Sequence, residues 1–358
     1  MMAVTAGLRL LEALATPHGL DRYLELVHPM LTVRELRGQV TSVHRTTSDT
    51  VTLTIRPTRR WRGFRSGQFV RLSVVIDGIR RTRCYSPSTS EHRPGSFDLT
   101  IKAHDGGLVS RWLHANARTG LVVHLSQAEG EFTLDTARPR RVLLVSGGSG
   151  ITPVLSMLRT LTDEGHDGEI VFLHYAYRRS DVPHLADLRA LADRHPNVRL
   201  VLGYTDAADG DLQGFCTEEH LRAAAPWFTE APAYLCGPPG LMAAVRGVYD
   251  GLGIGGLLRT EEFAPAPVAV DTAEATGTVT FARSGRRAPN SGRTLLEQAE
   301  AAGLTPEHGC RMGICFSCTS VKTAGRVRDV RSGETSTDPD EEIQLCVRVP
   351  VGDVTLDL

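Results

Sequence analysis

The chain has no surplus of either charge: 40 lysines and arginines stand against 41 aspartates and glutamates in 358 residues. Nothing in that balance calls for a nucleic acid or an anionic membrane as partner. Long apolar runs are missing too, with none near the roughly 18 to 20 residues that cross a bilayer. The amino terminus lacks the basic-then-apolar layout of a secretory leader, so a soluble, cytoplasmic protein is expected. Neither an internal repeat nor a low-complexity tract is present, which excludes solenoids and compositionally biased tails. At 358 residues the chain exceeds one ordinary core and suits two or three domains.

Apolar patterning divides the chain. Residues 1–37 form an expected helical extension: Leu8, Leu10, Leu11 and Leu14 precede Pro17, and Tyr23, Leu24, Leu26 and Val27 precede Pro29. Packing of these apolar faces on the next domain is the plain reading; a docking patch for a membrane or a partner enzyme is the sharper one. Residues 38–137 hold β-rich segments broken by glycine and proline, among them Val51–Ile55, Gln68–Val75, Phe97–Ile101 and Leu121–Leu125, and predict an antiparallel β-barrel. Over 138–263 the rhythm becomes apolar strand, glycine turn and helix, with strands at Val142–Val145, Ile170–His174, Val198–Leu202 and Tyr234–Cys236. That alternation predicts a parallel-sheet α/β domain. A proline-containing linker is expected at 264–274, followed at 275–358 by a small domain with a strand at Thr278–Ala282 and a helix at Thr294–Ala302.

Cysteine is scarce but uneven: of seven, Cys310, Cys315, Cys318 and Cys346 fall in the last 50 residues. An odd total with three crowded thiols reads as metal ligation, not disulfide stapling. The spacing Cys-x4-Cys-x2-Cys, with Cys346 following after 27 residues, is the plant-type 2Fe-2S ligand pattern. Gly309 and Gly313 let one loop wrap two irons while a distant strand supplies the fourth thiolate. A structural zinc is the rival, although zinc ribbons pair two close-spaced knuckles and here the fourth cysteine stands alone. Cys84 and Cys216 read as ordinary packed thiols.

The run Val142–Val145 enters Ser146-Gly147-Gly148-Ser149-Gly150-Ile151-Thr152-Pro153 and then a helical stretch from Val154 to Leu161. A strand, a glycine turn and a helix start present free N–H groups to a pyrophosphate; a glycine turn without a ligand is the competing reading. Arg178 and Arg179 stand at the end of the second strand, where dinucleotide folds often place an acid for a ribose 2′-hydroxyl. Basic residues there favour a 2′-phosphate, hence NADPH over NADH, against the plain reading of solvated charge. Cys236-Gly237-Pro238 ends another parallel strand at the ligand edge, with Cys236 either lining the transfer site or simply buried. In the barrel, Arg83, Tyr85 and Ser86 offer a guanidinium, a ring and a hydroxyl that suit a flavin. Downstream, Lys102 and Gly106-Gly107-Leu108-Val109-Ser110 lead into a helical Arg111–Ala117, a second pyrophosphate turn.

Taken in order, these motifs resemble the ferredoxin-NADP reductase superfamily, in its oxygenase-reductase branch with a carboxyl-terminal plant-type ferredoxin domain, over nearly the whole chain. The family's Arg-x-Tyr-Ser flavin motif is matched by Arg83, Tyr85 and Ser86, and its Gly-x-x-Ser turn by Gly107–Ser110. Its nicotinamide motifs are matched by Gly147, Gly148, Ser149, Gly150, Thr152 and Pro153 and by Cys236, Gly237 and Pro238. Glu261 and Phe263 are similar to its acidic-x-aromatic ending, in which the aromatic covers the flavin and the carboxylate lies near the transfer site. The resemblance implies a flavin barrel, an NAD(P) domain and an α+β β-grasp ferredoxin domain. It implies FAD through the Gly-x-x-Ser turn, with FMN the lesser option, and a 2Fe-2S cluster on Cys310, Cys315, Cys318 and Cys346. Catalytic positions are then Ser86, Cys236, Glu261 and Phe263.

The implied activity is electron transfer from NAD(P)H through flavin and cluster to a separate acceptor. Within the branch, Thr16–Tyr23 looks similar to electron-transfer partners of acyl-CoA desaturases, a likeness that bears on partner choice alone; a monomer, with peripheral contact to a membrane-bound partner, is expected. Reductases of Rieske, cytochrome P450, steroid or phenylacetyl-CoA oxygenases share every motif. A flavin and iron-sulfur redox sensor without turnover is the reading from another class.

Overall fold

The computed structural model describes residues 20–105, 107–263, 275–309, 311, 313 and 316–358. The chain divides into two compact units, one comprising Met1–Arg80 with Tyr85–Glu261, the other Arg81–Cys84 with Glu262–Leu358. The expected helix over Leu8–Leu14 and the expected linker at 264–274 lie outside the described residues.

The first sheet holds β1 (Arg37–Arg45), β2 (Thr50–Pro57), β3 (Val70–Ile76), β4 (Ile79–Tyr85), β5 (Phe97–Lys102) and β6 (Val122–Leu125) in the order β4-β3-β6-β1-β2-β5. Alternation explains it: Val51, Leu53 and Ile55 of β2 are fully buried and sit opposite Ile101, Leu99 and Phe97 of β5 in antiparallel register. The helix Leu108–Asn116 adds Val109 and Leu113 to the same core.

The second sheet is parallel throughout. It contains β7 (Arg141–Gly147), β8 (Glu169–Ala176), β9 (Val198–Tyr204), β10 (Leu212–Gln213), β11 (Ala233–Cys236) and β12 (Leu258–Glu261), in the order β10-β9-β8-β7-β11-β12. Val142–Val145 are all fully buried, the unbroken apolar run of a parallel strand covered on both faces. Strand order reverses at β7, with β8 on one side and β11 on the other. The carboxyl ends of β7 and β11 therefore flank the switch point where open α/β sheets bind ligands.

The second unit is a mixed sheet of β13 (Thr278–Phe281), β14 (Arg286–Pro289), β15 (Thr319–Asp329), β16 (Thr335–Ser336), β17 (Glu341–Gln344) and β18 (Arg348–Leu356). The helix Leu295–Ala301 packs on it and starts with a capping box: the Thr294 hydroxyl accepts from Glu297 N–H, and the Glu297 carboxylate accepts from Thr294 N–H. Cys318 and Cys346 are buried within this unit's apolar core. Among the described residues, one parallel pair, β13 with β18, stands among antiparallel ones with a single covering helix, the β-grasp arrangement.

One expectation is corrected. The helix Leu20–Val27 does not bury its whole apolar face, because Leu26 is 84% and Val27 78% exposed. Polar contacts hold it instead. Asp21 accepts from the backbone N–H groups of Val33, Arg34 and Glu35 at 2.5, 2.9 and 2.8 Å. Below it, the buried Arg37 guanidinium donates to Pro29 O at 2.8 Å, Glu35 at 2.6 Å and Glu25 at 3.2 Å. A buried cation needs such partners, and their positions decide which side of the helix turns inward. Among the described residues no helix is long and apolar enough to cross a membrane.

Candidate functional site

Strand register places Leu202, His174, Ser146, Cys236 and Glu261 side by side across β9, β8, β7, β11 and β12. Register neighbours in a parallel sheet project to one face, so four polar side chains line up at the carboxyl edge. Ser146 and His174 are fully buried, and Ser146 Oγ lies 2.9 Å from His174 Nδ1. Burial holds the imidazole near pKa 3, with the Lys102 charge adding to the effect, so His174 is neutral. It had no role in the sequence reading; the only signal was a polar residue ending an apolar strand.

The two nicotinamide motifs interlock. The turn Gly148–Gly150 opens the helix Ile151–Asp163, and a Cβ on Gly150 would fall 2.2 Å from the Cys236 carbonyl oxygen. Only glycine permits that approach. Thr152 and Pro153 are buried in the first turn of the helix, and Gly237-Pro238 leads into the helix Pro239–Gly251. Cys236 is fully buried.

Glu261 ends β12 with its Oε2 buried, close to the Ser86 hydroxyl beyond β4. Burial raises the Glu261 carboxyl to about 8, and the neighbouring Ser86 opposes that shift only in part. Neither Ser86 Oγ nor Glu261 Oε2 makes a hydrogen bond of good geometry among the described residues. Buried polar atoms are ordinarily satisfied; two orphans side by side fit the polar edge of a bound ring. Tyr85, partly buried, packs against the barrel core, and Arg83 lies in the same strand. Lys102 is ion-paired with Asp49 at 3.2 Å. Gly107 precedes the first turn of the helix Leu108–Asn116, Ser110 Oγ donates to Gly107 O at 3.3 Å, and Leu108 is exposed while Val109 is buried. Phe263 is half-buried and belongs to the second unit.

Arg178 and Arg179 follow β8 directly, with Tyr177 exposed beside them. Arg178 Nε is 3.8 Å from Asp181 with its side chain 60% exposed, a loose pairing that leaves the guanidinium open to an anion. Among the cluster positions, Cys310 and Cys315 lie outside the described residues, while Cys318 and Cys346 are buried. Gly313 N–H donates to Cys346 Sγ at 3.2 Å, the kind of amide-to-sulfur bond an iron-sulfur loop supplies. Phe316, next to Cys315 in sequence, is 67% exposed. Burial pushes the Cys216 thiol up to about 11, in keeping with an inert packed cysteine.

An antiparallel barrel, a parallel nucleotide sheet with glycine turns at its switch point, and a β-grasp unit with buried cysteines define an NAD(P)H oxidoreductase of the ferredoxin reductase type. Family models agree: an oxidoreductase FAD-binding domain matches residues 37–134, an oxidoreductase NAD-binding domain 144–247, and a 2Fe-2S iron-sulfur cluster binding domain 279–350. The chain belongs to the ferredoxin-NADP reductase superfamily, in the branch that carries a carboxyl-terminal plant-type 2Fe-2S domain. It is 38% identical over 353 residues to an NADPH oxidoreductase of Mycobacterium tuberculosis (strain ATCC 25618 / H37Rv), spanning 96% of this chain and 90% of that protein. A glycine betaine monooxygenase reductase subunit of Pseudomonas aeruginosa (strain UCBPP-PA14) is 34% identical, spanning 82% and 87%. Phthalate dioxygenase reductase shares the fold, with a TM-score of 0.60 at 23% identity over 91% of this chain and 98% of that one.

Proposed function

We propose that this chain draws electrons from NADPH and delivers them singly to a partner enzyme that activates oxygen, with an acyl-CoA desaturase as the preferred acceptor. One observation carries the chemistry: Ser86, Glu261, Cys236 and Ser146, from four separate stretches of the chain, adjoin along the carboxyl edge of β12, β11 and β7. When bound, FAD accepts a hydride from the nicotinamide and the 2Fe-2S cluster passes electrons on one at a time. The protein supplies distance, orientation and exclusion of water. Gly147–Pro153 and Cys236–Pro238 would seat the nicotinamide nucleotide; Arg83, Tyr85, Lys102 and Gly107–Ser110 would seat FAD; and Phe263 would cover the ring. At neutral pH the Glu261 carboxyl retains its proton, and with the Ser86 hydroxyl it can donate or hold a proton at the buried transfer edge.

Arg178 and Arg179 support NADPH, since two guanidinium groups after β8, that of Arg178 only loosely paired, can fork a 2′-phosphate. The desaturase preference rests on the likeness of Thr16–Tyr23 to desaturase partners. The exposed apolar residues Tyr23, Leu26 and Val27 supply a surface suited to a membrane-bound acceptor. An anaerobic titration of the purified protein with NADPH and then NADH, followed by its visible spectrum and by extraction of the flavin, tests this reading. Flavin bleaching followed by cluster reduction, at much lower NADPH than NADH, is expected. A cluster that never reduces would overturn the pathway, and equal potency of the two nucleotides would overturn the arginine assignment. Reconstitution with a desaturase, a Rieske oxygenase and a P450 then decides the acceptor.

A further inference from the structure

The end of β15 carries a charged unit that the motifs did not single out. Asp329 is 3% exposed. It accepts from Arg331 Nε at 3.2 Å, Arg331 Nη2 at 3.0 Å and the Arg331 backbone N–H at 2.8 Å, while Arg348 Nη2 stands 3.6 Å away. So gripped, Arg331 turns its remaining guanidinium nitrogen to the cysteine loop, where Nη1 donates to Gly313 O at 2.8 Å. Gly313 in turn donates its N–H to Cys346 Sγ at 3.2 Å. No other residue suits position 313: its φ is +72°, and a Cβ would fall 2.6 Å from Arg331 Nη1 and 2.8 Å from Val347. A continuous chain of contacts thus runs from a buried carboxylate, through a guanidinium and a glycine, to a cluster thiolate.

We propose that Arg331, held by Asp329, is a positioning residue that sets the reduction potential of the 2Fe-2S cluster. Two effects act together. Arg331 fixes Gly313, which keeps the amide on the Cys346 sulfur. It also brings a positive charge to the cluster loop, partly offset by Asp329. Reduction adds one electron, supplied by the reduced flavin, and therefore one negative charge. Hydrogen bonds to sulfur and nearby cations both favour that reduced form. The inference rests on the cluster assignment and not on the choice of acceptor.

The two charges make predictions of opposite sign. Arg331→Gln should lower the potential, so that at a fixed applied potential the ratio of reduced to oxidised cluster falls about tenfold, equivalent to about 59 mV for a one-electron couple. Asp329→Asn should raise that ratio: the amide oxygen can still accept from the Arg331 backbone N–H and Nε, so the hold persists while the charge that offsets Arg331 is gone. Arg331→Lys keeps the charge but not the fork and should fall between wild type and Arg331→Gln. The measurement is a spectroelectrochemical titration of each full-length holoprotein, with the visible and EPR spectra of the cluster as controls for its integrity. Shifts of Arg331→Gln and Asp329→Asn in the same direction, or an unshifted Arg331→Gln with an intact spectrum, would overturn the proposal. Should Arg331→Gln fail to hold its cluster, Arg331→Lys and Asp329→Asn decide: they must shift to opposite sides of wild type. Flavin bleaching by NADPH in the wild type, read alongside, tests the electron pathway separately.

Discussion

Two titratable side chains on one row of the nucleotide sheet, His174 fully buried and Glu261 half-buried with its Oε2 out of solvent, give the protein opposing responses to pH. Glu261 has its carboxyl raised by burial from 4.5 to about 8. The folded protein therefore keeps a proton that the unfolded chain releases between those values, and stability falls as pH rises through that window. His174 has its imidazole lowered by burial from 6.5 to about 3. Here the unfolded chain binds the extra proton, so stability falls as pH drops through the window. Between roughly pH 4.5 and 6.5 the two slopes cancel; above that only Glu261 acts. Glu261→Gln should unmask this: the melting temperature of the variant minus that of wild type should grow from pH 5 to pH 8, by an amount reflecting a few kcal/mol at most. A difference that stays flat with pH would mean the carboxyl is already ionised at neutrality. Histidine and glutamate were both visible in the sequence, but only packing shows that Glu261 keeps its proton near neutrality and that His174 stays uncharged in mild acid.

The helix Leu20–Val27 shows how element orientation depends on partners elsewhere. Its apolar residues suggested inward packing, yet Asp21 and Arg37 set the contacts and leave Leu26 and Val27 in solvent. Arg37→Leu should therefore cost roughly 2 to 3 kcal/mol, the worth of one or two charged hydrogen bonds. In urea unfolding that loss should come with faster proteolysis near the amino terminus. Leu26→Glu should stay within about 0.5 kcal/mol of wild type because its side chain is already exposed. A large loss in Leu26→Glu would show that something covers this face. By contrast, the helix Leu295–Ala301 was legible from the chain alone, since Thr294 and Glu297 make a local capping box.

At the scale of the molecule, each unit holds its own chemistry: Ser86, Cys236 and Glu261 lie in the first, Cys318 and Cys346 in the second. Electron entry and exit should then be separable by mutation. Cys315→Ser should abolish reduction of the acceptor enzyme while NADPH-driven ferricyanide reduction persists, as steady-state assays of the two activities would show. Loss of both would contradict the division of labour.

What the sequence determined by itself was whatever depends on near neighbours. Cysteine spacing named the cluster type, because three ligands must share one loop. Alternation in Val51–Ile55 and the apolar run Val142–Val145 separated an antiparallel sheet from a parallel one, because side-chain period follows backbone geometry. Only the tertiary structure decided the rest. Strand register set His174 beside Ser146 and Cys236 beside Glu261, and burial gave Glu261 its proton. Folding brought Asp329 and Arg331 to a loop that begins well before them in the chain. Such pairings join residues remote in sequence, and desolvation is a property of everything packed around a group, so neither is written in any local stretch of the chain.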